Sequence, residues 1–298
     1  MRNQSFTLEF LTPCFLAGAN QATAELRAPS VRGQLRWWFR ALGGSLSDES
    51  AVFGGVGKAP AASKLIIRTL KISDGPKWQP PFVDPNASSS YVWYFASVSG
   101  KELKQKGTGP RWNSAAALAP KTKFRLFIQQ PFELPLSPQS DLNEAIECFV
   151  CLGGLGLRVT RGLGAFACLE RPLDRDRLKN LQTIVTAAGF RWEHRTKRLS
   201  DDGAIAREIG SLVKGTRKEQ GLKADRPSSL GSSQPRQTSA IFFRPIRLAG
   251  ATDCELLVLE APHDRVLGEQ ARKASRTLVG TVPSQLSHYA APSGGYNR

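Results

Sequence analysis

The sequence has no run of about 18 apolar residues, so it predicts no membrane-spanning helix. Residues 1–8 also lack the apolar centre of a secretory signal peptide. No basic amphipathic anchor for a membrane surface stands out. We therefore expect a cytoplasmic protein with no membrane partner.

Cysteine is sparse and irregularly placed. The five cysteines are too scattered for a disulfide framework: Cys14, Cys148, Cys151, Cys168 and Cys254. Cys148 and Cys151 form one Cys-x-x-Cys pair, but no second pair follows, whereas a structural zinc site requires four ligands. Because this pair falls in an apolar, helix-like run, it indicates buried structural thiols. We expect neither a metal nor a cofactor.

Acidic residues are in deficit, and that points to a partner. Lysine and arginine number 41 against 25 aspartates and glutamates, for a formal net charge of +16 over 298 residues. A polyanionic partner explains such an excess, because neutralising phosphates releases condensed counterions. The alternative is a basic protein whose charge serves only solubility. With 41% hydrophobic and 22% charged residues, the composition is that of a globular protein.

The first half of the chain alternates predicted strands and helices. Strands are predicted at 5–11, 63–72, 91–98, 123–129 and 165–170, and helices at 30–42, 48–53 and 141–155, with a long loop at 73–90. The order is β-α-β-β-α-β with insertions, which is the split βαβ pattern of ferredoxin-like domains. The first domain is predicted to span residues 1–172.

The second domain, residues 173–298, has a less regular pattern. Helices are predicted at 174–187, 201–213 and 263–279, and strands at 241–248 and 255–260. Residues 214–238 are polar and rich in Lys, Arg, Ser and Pro, which predicts a mobile or partner-dependent segment. Residues 283–298 have little apolar content and are expected to form a surface arm.

The predicted helix 30–42 carries a stripe of arginines. Helical periodicity places Val31, Leu35, Trp38 and Leu42 on one face, which should be buried. Arg32, Arg36 and Arg40 are four residues apart and line a second face. Such a row suits a phosphate backbone, because each guanidinium can hold two phosphate oxygens. A solvated polar face is the alternative.

Other residues of this helix extend the candidate site. Ser30 is the expected N-cap, and the N–H groups from Ser30 to Gly33 would attract an anion. Gly33 would allow a partner backbone to come close. Trp37 is a candidate for stacking on a base, although packing on the flank of the helix is the commoner use of such an aromatic.

A glycine-rich turn at residues 153–166 is the second candidate. Its dense glycines would expose N–H groups that form a nest for a phosphate. Arg158 and Arg161 would add charge, and Gly162 and Gly164 would let a strand of RNA pass closely. The alternative is a tight connection between a helix and a strand. The turn precedes a strand, so it is not a dinucleotide-binding motif, which opens a helix.

Together these segments resemble the RAMP superfamily of CRISPR proteins, and within it the first subunit of the type III-B Cmr effector complex. The resemblance rests on residues 10–19, 29–42, 52–54 and 153–165, and more loosely on 236–243. Leu163 stands where an aromatic residue is commoner in the family, and Ala165 where serine is commoner.

The resemblance implies an α+β fold with two ferredoxin-like domains. It also implies a non-catalytic RNA-binding subunit at one end of a ribonucleoprotein that acts in antiviral defence. The implied partners are the 3′ part of the guide RNA (crRNA), the target RNA and other RAMP subunits.

An endoribonuclease of the same superfamily that processes guide RNA precursors is the alternative function. Metal-free RNA cleavage usually requires a histidine, and the chain has only His194, His263 and His288, none of them in either motif. A DNA-binding module is a third interpretation, but no helix-turn-helix or zinc-finger spacing is present.

Overall fold

The computed structural model describes residues 2–19, 23–56, 60–78, 87–93 and 117–279. The expected arm at 283–298, His288 and residues 94–98 of one predicted strand lie outside these ranges.

The first half contains strands β1 (Arg2–Phe10), β2 (Cys14–Phe15), β3 (Ile66–Ser73), β4 (Ala117–Leu118), β5 (Lys123–Gln130) and β6 (Phe166–Cys168). Its helices are α1 (Ala28–Ala41), α2 (Leu46–Phe53), α3 (Ser90–Trp93) and α4 (Leu136–Leu152). The second half contains α5 (Arg175–Ala187), β7 (Arg191–Leu199), α6 (Asp202–Glu219), β8 (Ile241–Ile246), β9 (Cys254–Glu260), α7 (His263–Val266) and α8 (Glu269–Ala274).

The main sheet of the first half has the strand order β3-β5-β1-β6, with every neighbouring pair antiparallel. Its elements follow the β-α-β-β-α-β order that the sequence predicted. Side chains alternate along the central strands, so that Phe6, Leu8 and Phe10 of β1 enter the core with Phe124 and Leu126 of β5. Helices α1 and α4 pack against each other and contribute to the same core.

The second half has a three-stranded antiparallel sheet in the order β7-β9-β8. Strand β7 was not predicted, because its stretch Arg191–Leu199 is mostly polar and only Leu199 is fully buried. The predicted helix 263–279 was wrong: the chain forms the short helices α7 and α8 instead, with extended backbone between them at Leu267 and Gly268.

Two further predictions require correction. Residues 91–93 were predicted to be strand but lie in helix α3, where Val92 and Trp93 are buried. Helix α6 continues to Glu219, beyond the predicted end at residue 213. Residues 220–238 form turns closed by backbone hydrogen bonds, such as Ser233 N–H to Ala224 O at 2.9 Å. The mobility of 214–238 stays a prediction.

The two halves share their cores. Trp37 and Trp38 of α1 contact Phe190 and Phe242 of the second half, and the Trp38 and Phe190 rings stack with centroids 5.9 Å apart. Glu147 of α4 forms ion pairs with both Arg171 and Arg177. Residues on either side of the predicted boundary near residue 172 are therefore in direct contact.

Candidate nucleic-acid interface

Helix α1 presents its arginines as the periodicity predicted. Val31, Leu35 and Trp38 are buried, and Arg40 is exposed on another face. The N-cap was predicted wrongly: it is Arg27, and Ser30 lies inside the first turn with its N–H donated to Arg27 O at 3.0 Å. Val31 N–H also donates to Arg27 O, at 3.4 Å, so the expected row of unpaired donors from Ser30 to Gly33 is not formed.

A buried carboxylate holds the arginine stripe. Glu49 is 2% exposed, and its Oε1 accepts a hydrogen bond from Arg36 Nε at 2.5 Å. Arg40 Nε lies 3.6 Å from Glu49 Oε2. Arg32 donates from Nη2 to Leu65 O at 3.2 Å. The three guanidinium groups are therefore fixed in direction while the Arg36 and Arg40 side chains remain 38% and 46% exposed.

Sequence reasoning gave Glu49 no role. The Ser45 Oγ accepts the Asp48 N–H at 3.0 Å and so caps α2, the helix that carries Glu49. This cap is visible in the sequence as Ser-x-x-Asp. The contact with Arg36 depends on how α2 packs against α1, which local sequence does not encode.

Trp37 does not offer a free face for a base. Its ring is half-buried and contacts Trp38, Phe190 and Phe242, with centroids 5.2, 6.4 and 4.7 Å away. The alternative interpretation, packing on the flank of the helix, is the one observed.

The glycine-rich turn packs against the loop that follows β1, residues 11–13, which is here called the opening loop. Leu11 N–H donates to Ala165 O at 2.8 Å, and Gly164 N–H donates to Pro13 O at 2.9 Å. Gly164 has φ +64°, and a Cβ on it would lie 1.8 Å from Leu155 O. Gly162 has φ +80°, and a Cβ there would meet Ile209 at 2.6 Å. Both glycines are buried, so the expectation that they let RNA pass closely was wrong: they make room for protein.

Arg161 is also a structural residue. It is 4% exposed, and it donates from Nη2 to Leu230 O at 2.5 Å and from Nη1 to Ser239 Oγ at 3.2 Å. Nε and Nη2 also donate to the Tyr91 hydroxyl at 3.3 Å. Since this guanidinium is used within the fold, its prediction as an RNA contact requires correction.

Arg158 lies at the outer side of the turn. It adopts φ +59°, is only partly buried, and its Cζ lies 5.8 Å from the Tyr91 ring centroid. Burial alone would raise the pKa of Tyr91, but the charges of Arg161 and Arg217, together with the hydrogen bonds from Arg161, outweigh it and lower the pKa to about 8. The Tyr91 hydroxyl therefore lies among the cationic side chains of Arg161, Arg217 and Arg158.

The two predicted motifs form separate features. The stripe contacts α2 and Leu65, whereas the glycine-rich turn contacts the opening loop, Tyr91 and β8.

The described histidines and the cysteine pair make contacts that do not involve these arginines. His194 is in β7, and its Nε2 lies 2.7 Å from Glu255 Oε2. His263 Nε2 lies 2.8 Å from Glu260 Oε1. Cys148 and Cys151 are buried as predicted, and burial raises the pKa of both thiols. In the described part of the chain, no His, Cys, Asp and Glu side chains cluster in a way that would hold a metal ion.

A comparison with protein families decides the relationship. The model of the RAMP superfamily matches residues 7–167, more than half of the chain, and that range includes both the arginine stripe and the glycine-rich turn. The chain belongs to the RAMP superfamily. This confirms the resemblance seen in the sequence.

Two curated RAMP relatives come from Pyrococcus furiosus. CRISPR system Cmr subunit Cmr1-2 is 30% identical over 179 residues, which cover 54% of this chain and 91% of the relative. CRISPR system Cmr subunit Cmr1-1 is 28% identical over 170 residues, which cover 54% of this chain but only 46% of that relative. The chain is thus homologous to Cmr1 subunits.

Solved structures show the same fold. The crystal structure of apo Cmr1 from Pyrococcus furiosus aligns with a TM-score of 0.54 at 18% identity, over 96% of this chain and 92% of that one. A chain of the type III-B Cmr-beta complex bound to cognate target RNA and AMPPnP aligns with a TM-score of 0.54 at 14% identity, over 90% of this chain and 96% of that one.

Within the ranges described, no helix has the length and apolarity needed to cross a membrane.

Proposed function

We propose that this RAMP protein is a non-catalytic RNA-binding subunit of a type III-B CRISPR RNA-guided effector complex in antiviral defence. Its homology to Cmr subunits supports membership of such a complex. The net charge of +16 supports an RNA partner. We place it in the cytoplasm with other RAMP subunits, in contact with the 3′ part of the guide RNA and with the target RNA.

We further propose that both halves are ferredoxin-like, with the boundary near residue 172. The strand order β3-β5-β1-β6 supports this for the first half. In the second half, β7, β8 and β9 are ordered as the first, second and third strands of the same arrangement.

Gly33 is the observation that carries the RNA-binding proposal. It lies exposed on α1 beside Arg32 and Arg36, and a Cβ on it would meet no atom within 4 Å. A helix-interior glycine costs about 1 kcal/mol relative to alanine. Since the fold has room for alanine here, the absence of a side chain is better explained by a partner backbone that lies against the helix.

The proposed contact surface is smaller than the sequence predicted. It contains Arg32, Gly33, Arg36 and Arg40 on α1, and it leaves out Ser30, whose N–H is used within the helix. Arg158 forms a second contact at the glycine-rich turn.

A binding experiment with matched charge changes tests this surface. Arg32→Gln, Arg36→Gln and Arg40→Gln together remove three charges. At positions 36 and 40 the amide nitrogen can take the place of the arginine Nε beside Glu49, whereas a glutamine side chain at position 32 is too short to reach Leu65 O. Circular dichroism should confirm that the triple variant is folded. The control triple, Arg175→Gln, Lys179→Gln and Arg191→Gln, removes the same charge from exposed positions on α5 and β7.

The stripe triple should weaken binding of a single-stranded guide-like RNA, measured by fluorescence anisotropy, at least tenfold more than the control. Loss of three phosphate contacts should also reduce the slope of log K against log salt by about 2. Equal affinities for the two triples would show that the stripe is not the RNA surface.

A cleavage assay distinguishes the non-catalytic proposal from the endoribonuclease alternative. His194 and His263 each lie beside a carboxylate, and neither is in the RNA-binding motifs. Incubation of the purified protein with a repeat-containing guide precursor should yield no cleavage. Cleavage that is lost in His194→Ala or His263→Ala would establish the enzyme instead.

A further inference from the structure

One face of the first sheet is turned away from the helices. On β5, Phe124, Leu126 and Ile128 are buried in the core. Because side chains alternate along a strand, Arg125 and Phe127 point to the opposite face. This open face is defined by Arg125 and Phe127 of β5, Arg68 and Leu70 of β3, and Ser5 of β1.

The register gathers an aromatic ring and two arginines on this open face. Arg68 lies directly across from Phe127, and Leu70 directly across from Arg125. Ser5 is opposite Phe127 on the other side. Side chains directly across two strands are about 5 Å apart at Cβ, and those two residues along a strand are about 7 Å apart. Phe127, on the central strand β5, thus has Arg68 beside it on β3 and Arg125 two residues away on its own strand.

The charges of these two arginines are not used by the fold. Arg68 and Arg125 are exposed, and within the described residues neither has an ion pair or hydrogen bond to a side chain. The acid on the same face, Glu9, is already neutralised by Lys123 at 3.5 Å and Arg247 at 2.6 Å. The open face therefore carries positive charge without compensation.

The apolar content of the face is unusual for a surface strand. Ile66 is 40% exposed and Leu70 is 58% exposed, on the edge strand β3. A half-buried phenylalanine beside exposed aliphatic side chains and arginines offers stacking to bases and ion pairs to phosphates. An RNA strand supplies a base and phosphates in every nucleotide, whereas a protein partner would have to bring carboxylates to both arginines.

We propose that the open face is a second RNA-binding surface, which takes single-stranded RNA by stacking a base on Phe127 between phosphates held by Arg68 and Arg125. This inference rests on the proposed RNA-binding function and adds a contact on the face of the sheet away from α1. Four-stranded sheets of this general kind bind single-stranded RNA through aromatic residues on their central strands.

A stacking-sensitive probe tests the open face separately from the stripe. The probe is a short single-stranded RNA with 2-aminopurine, whose fluorescence is quenched when it stacks on an aromatic ring. The full-length protein is compared with Phe127→Leu, Phe127→Tyr, the pair Arg68→Gln with Arg125→Gln, and the stripe triple on α1.

Phe127→Leu should abolish the quenching and weaken binding about tenfold, because stacking on an aromatic side chain contributes strongly for each base. Phe127→Tyr should retain the quenching, since it keeps the ring. The exposed double arginine variant should weaken binding without affecting the fold, which circular dichroism would confirm. The stripe triple should bind more weakly but still quench the probe at saturation.

The outcomes separate the two proposals. If Phe127→Leu and the double arginine variant bind and quench like the wild type while the stripe triple binds poorly, the open face is not an RNA surface and the proposed function stands. Such a result would leave the face for a protein partner. If the wild-type protein binds no RNA, both proposals fail.

Discussion

Replacing Glu49 with glutamine should separate the two tasks of the arginine stripe, which are to pack against α2 and to present charge. The amide keeps the size of the side chain, and its Oε1 can still accept the hydrogen bond from Arg36. A hydrogen bond to a charged acceptor contributes about 1.5–3 kcal/mol and a neutral one about 0.5–1.5 kcal/mol. Because the Arg36 and Arg40 side chains are 38% and 46% exposed, water compensates part of the difference. We expect a loss of about 1 kcal/mol in the free energy of unfolding.

The same substitution should strengthen RNA binding. A phosphate held on the outer side of a guanidinium would lie roughly 8 Å from the Glu49 carboxylate, where the repulsion is about 0.5 kcal/mol in water and about 2 kcal/mol at an effective dielectric constant of 20. Removing that repulsion predicts a gain in affinity of about two- to thirtyfold at low salt, which should diminish as salt is raised.

Two measurements check the Glu49 prediction: urea unfolding for stability, and anisotropy with single-stranded RNA at two salt concentrations for affinity. Glu133→Gln is the control, because it removes the same charge at an exposed position. Weaker RNA binding by Glu49→Gln than by the wild type would refute the reasoning, since it would mean that the carboxylate positions the arginines more than it screens them.

Other predictions follow from single residues. Arg161 and neighbouring charges lower the pKa of Tyr91 to about 8, below the unfolded value near 10. The free energy of unfolding of the wild type should therefore rise by up to about 2 kcal/mol relative to Tyr91→Phe as the pH increases from 8 to 10. If the two proteins show the same pH dependence of stability, this prediction is wrong. Arg244 is buried, and its Nε and Nη1 have no acceptor in the described structure. Burial also lowers its pKa to about 10. Arg244→Met should therefore raise the free energy of unfolding, measured by urea titration, by about 1–3 kcal/mol. Gly33→Ala should stabilise the protein by about 1 kcal/mol, whereas Gly164→Ala should lower its thermal midpoint sharply; similar midpoints for the two would contradict the assigned packing.

Local periodicity was sufficient to predict the elements that carry the stripe. The apolar positions of α1 repeat with the helical period, and Val31, Leu35 and Trp38 are buried as expected. The strands of the first sheet were found within a few residues of their ends, because buried and exposed residues alternate in β1 and β5. These patterns are set by neighbours along the chain, so the sequence contains them directly.

Contacts between distant segments were outside the reach of the same reasoning. Strand β7 pairs with β9 yet is mostly polar, so its alternation carries little signal. The role of Glu49 depends on the packing of α2 against α1. The glycines of the turn looked like a nest for an anion, but Gly164 makes room for the backbone of Leu155 while its N–H bonds to Pro13, some 150 residues away in the sequence.

The net charge overstates the surface that is available to a polyanion. Arg161 donates to acceptors inside the fold, Arg244 is buried, and Arg171 and Arg177 share the carboxylate of Glu147. These arginines act between parts of the chain, and replacing them should change stability before it changes RNA affinity.

Unlike these buried or paired arginines, the arginines of α1 and of the open face are accessible to a partner. Those of α1 are held in direction and remain partly exposed, and Arg68 and Arg125 are exposed without an ion pair in the described residues. Only such side chains can exchange bound counterions for phosphates, and so only they should contribute to the salt dependence of RNA binding. That slope, measured for each group of variants, therefore distinguishes arginines that fold the protein from arginines that bind.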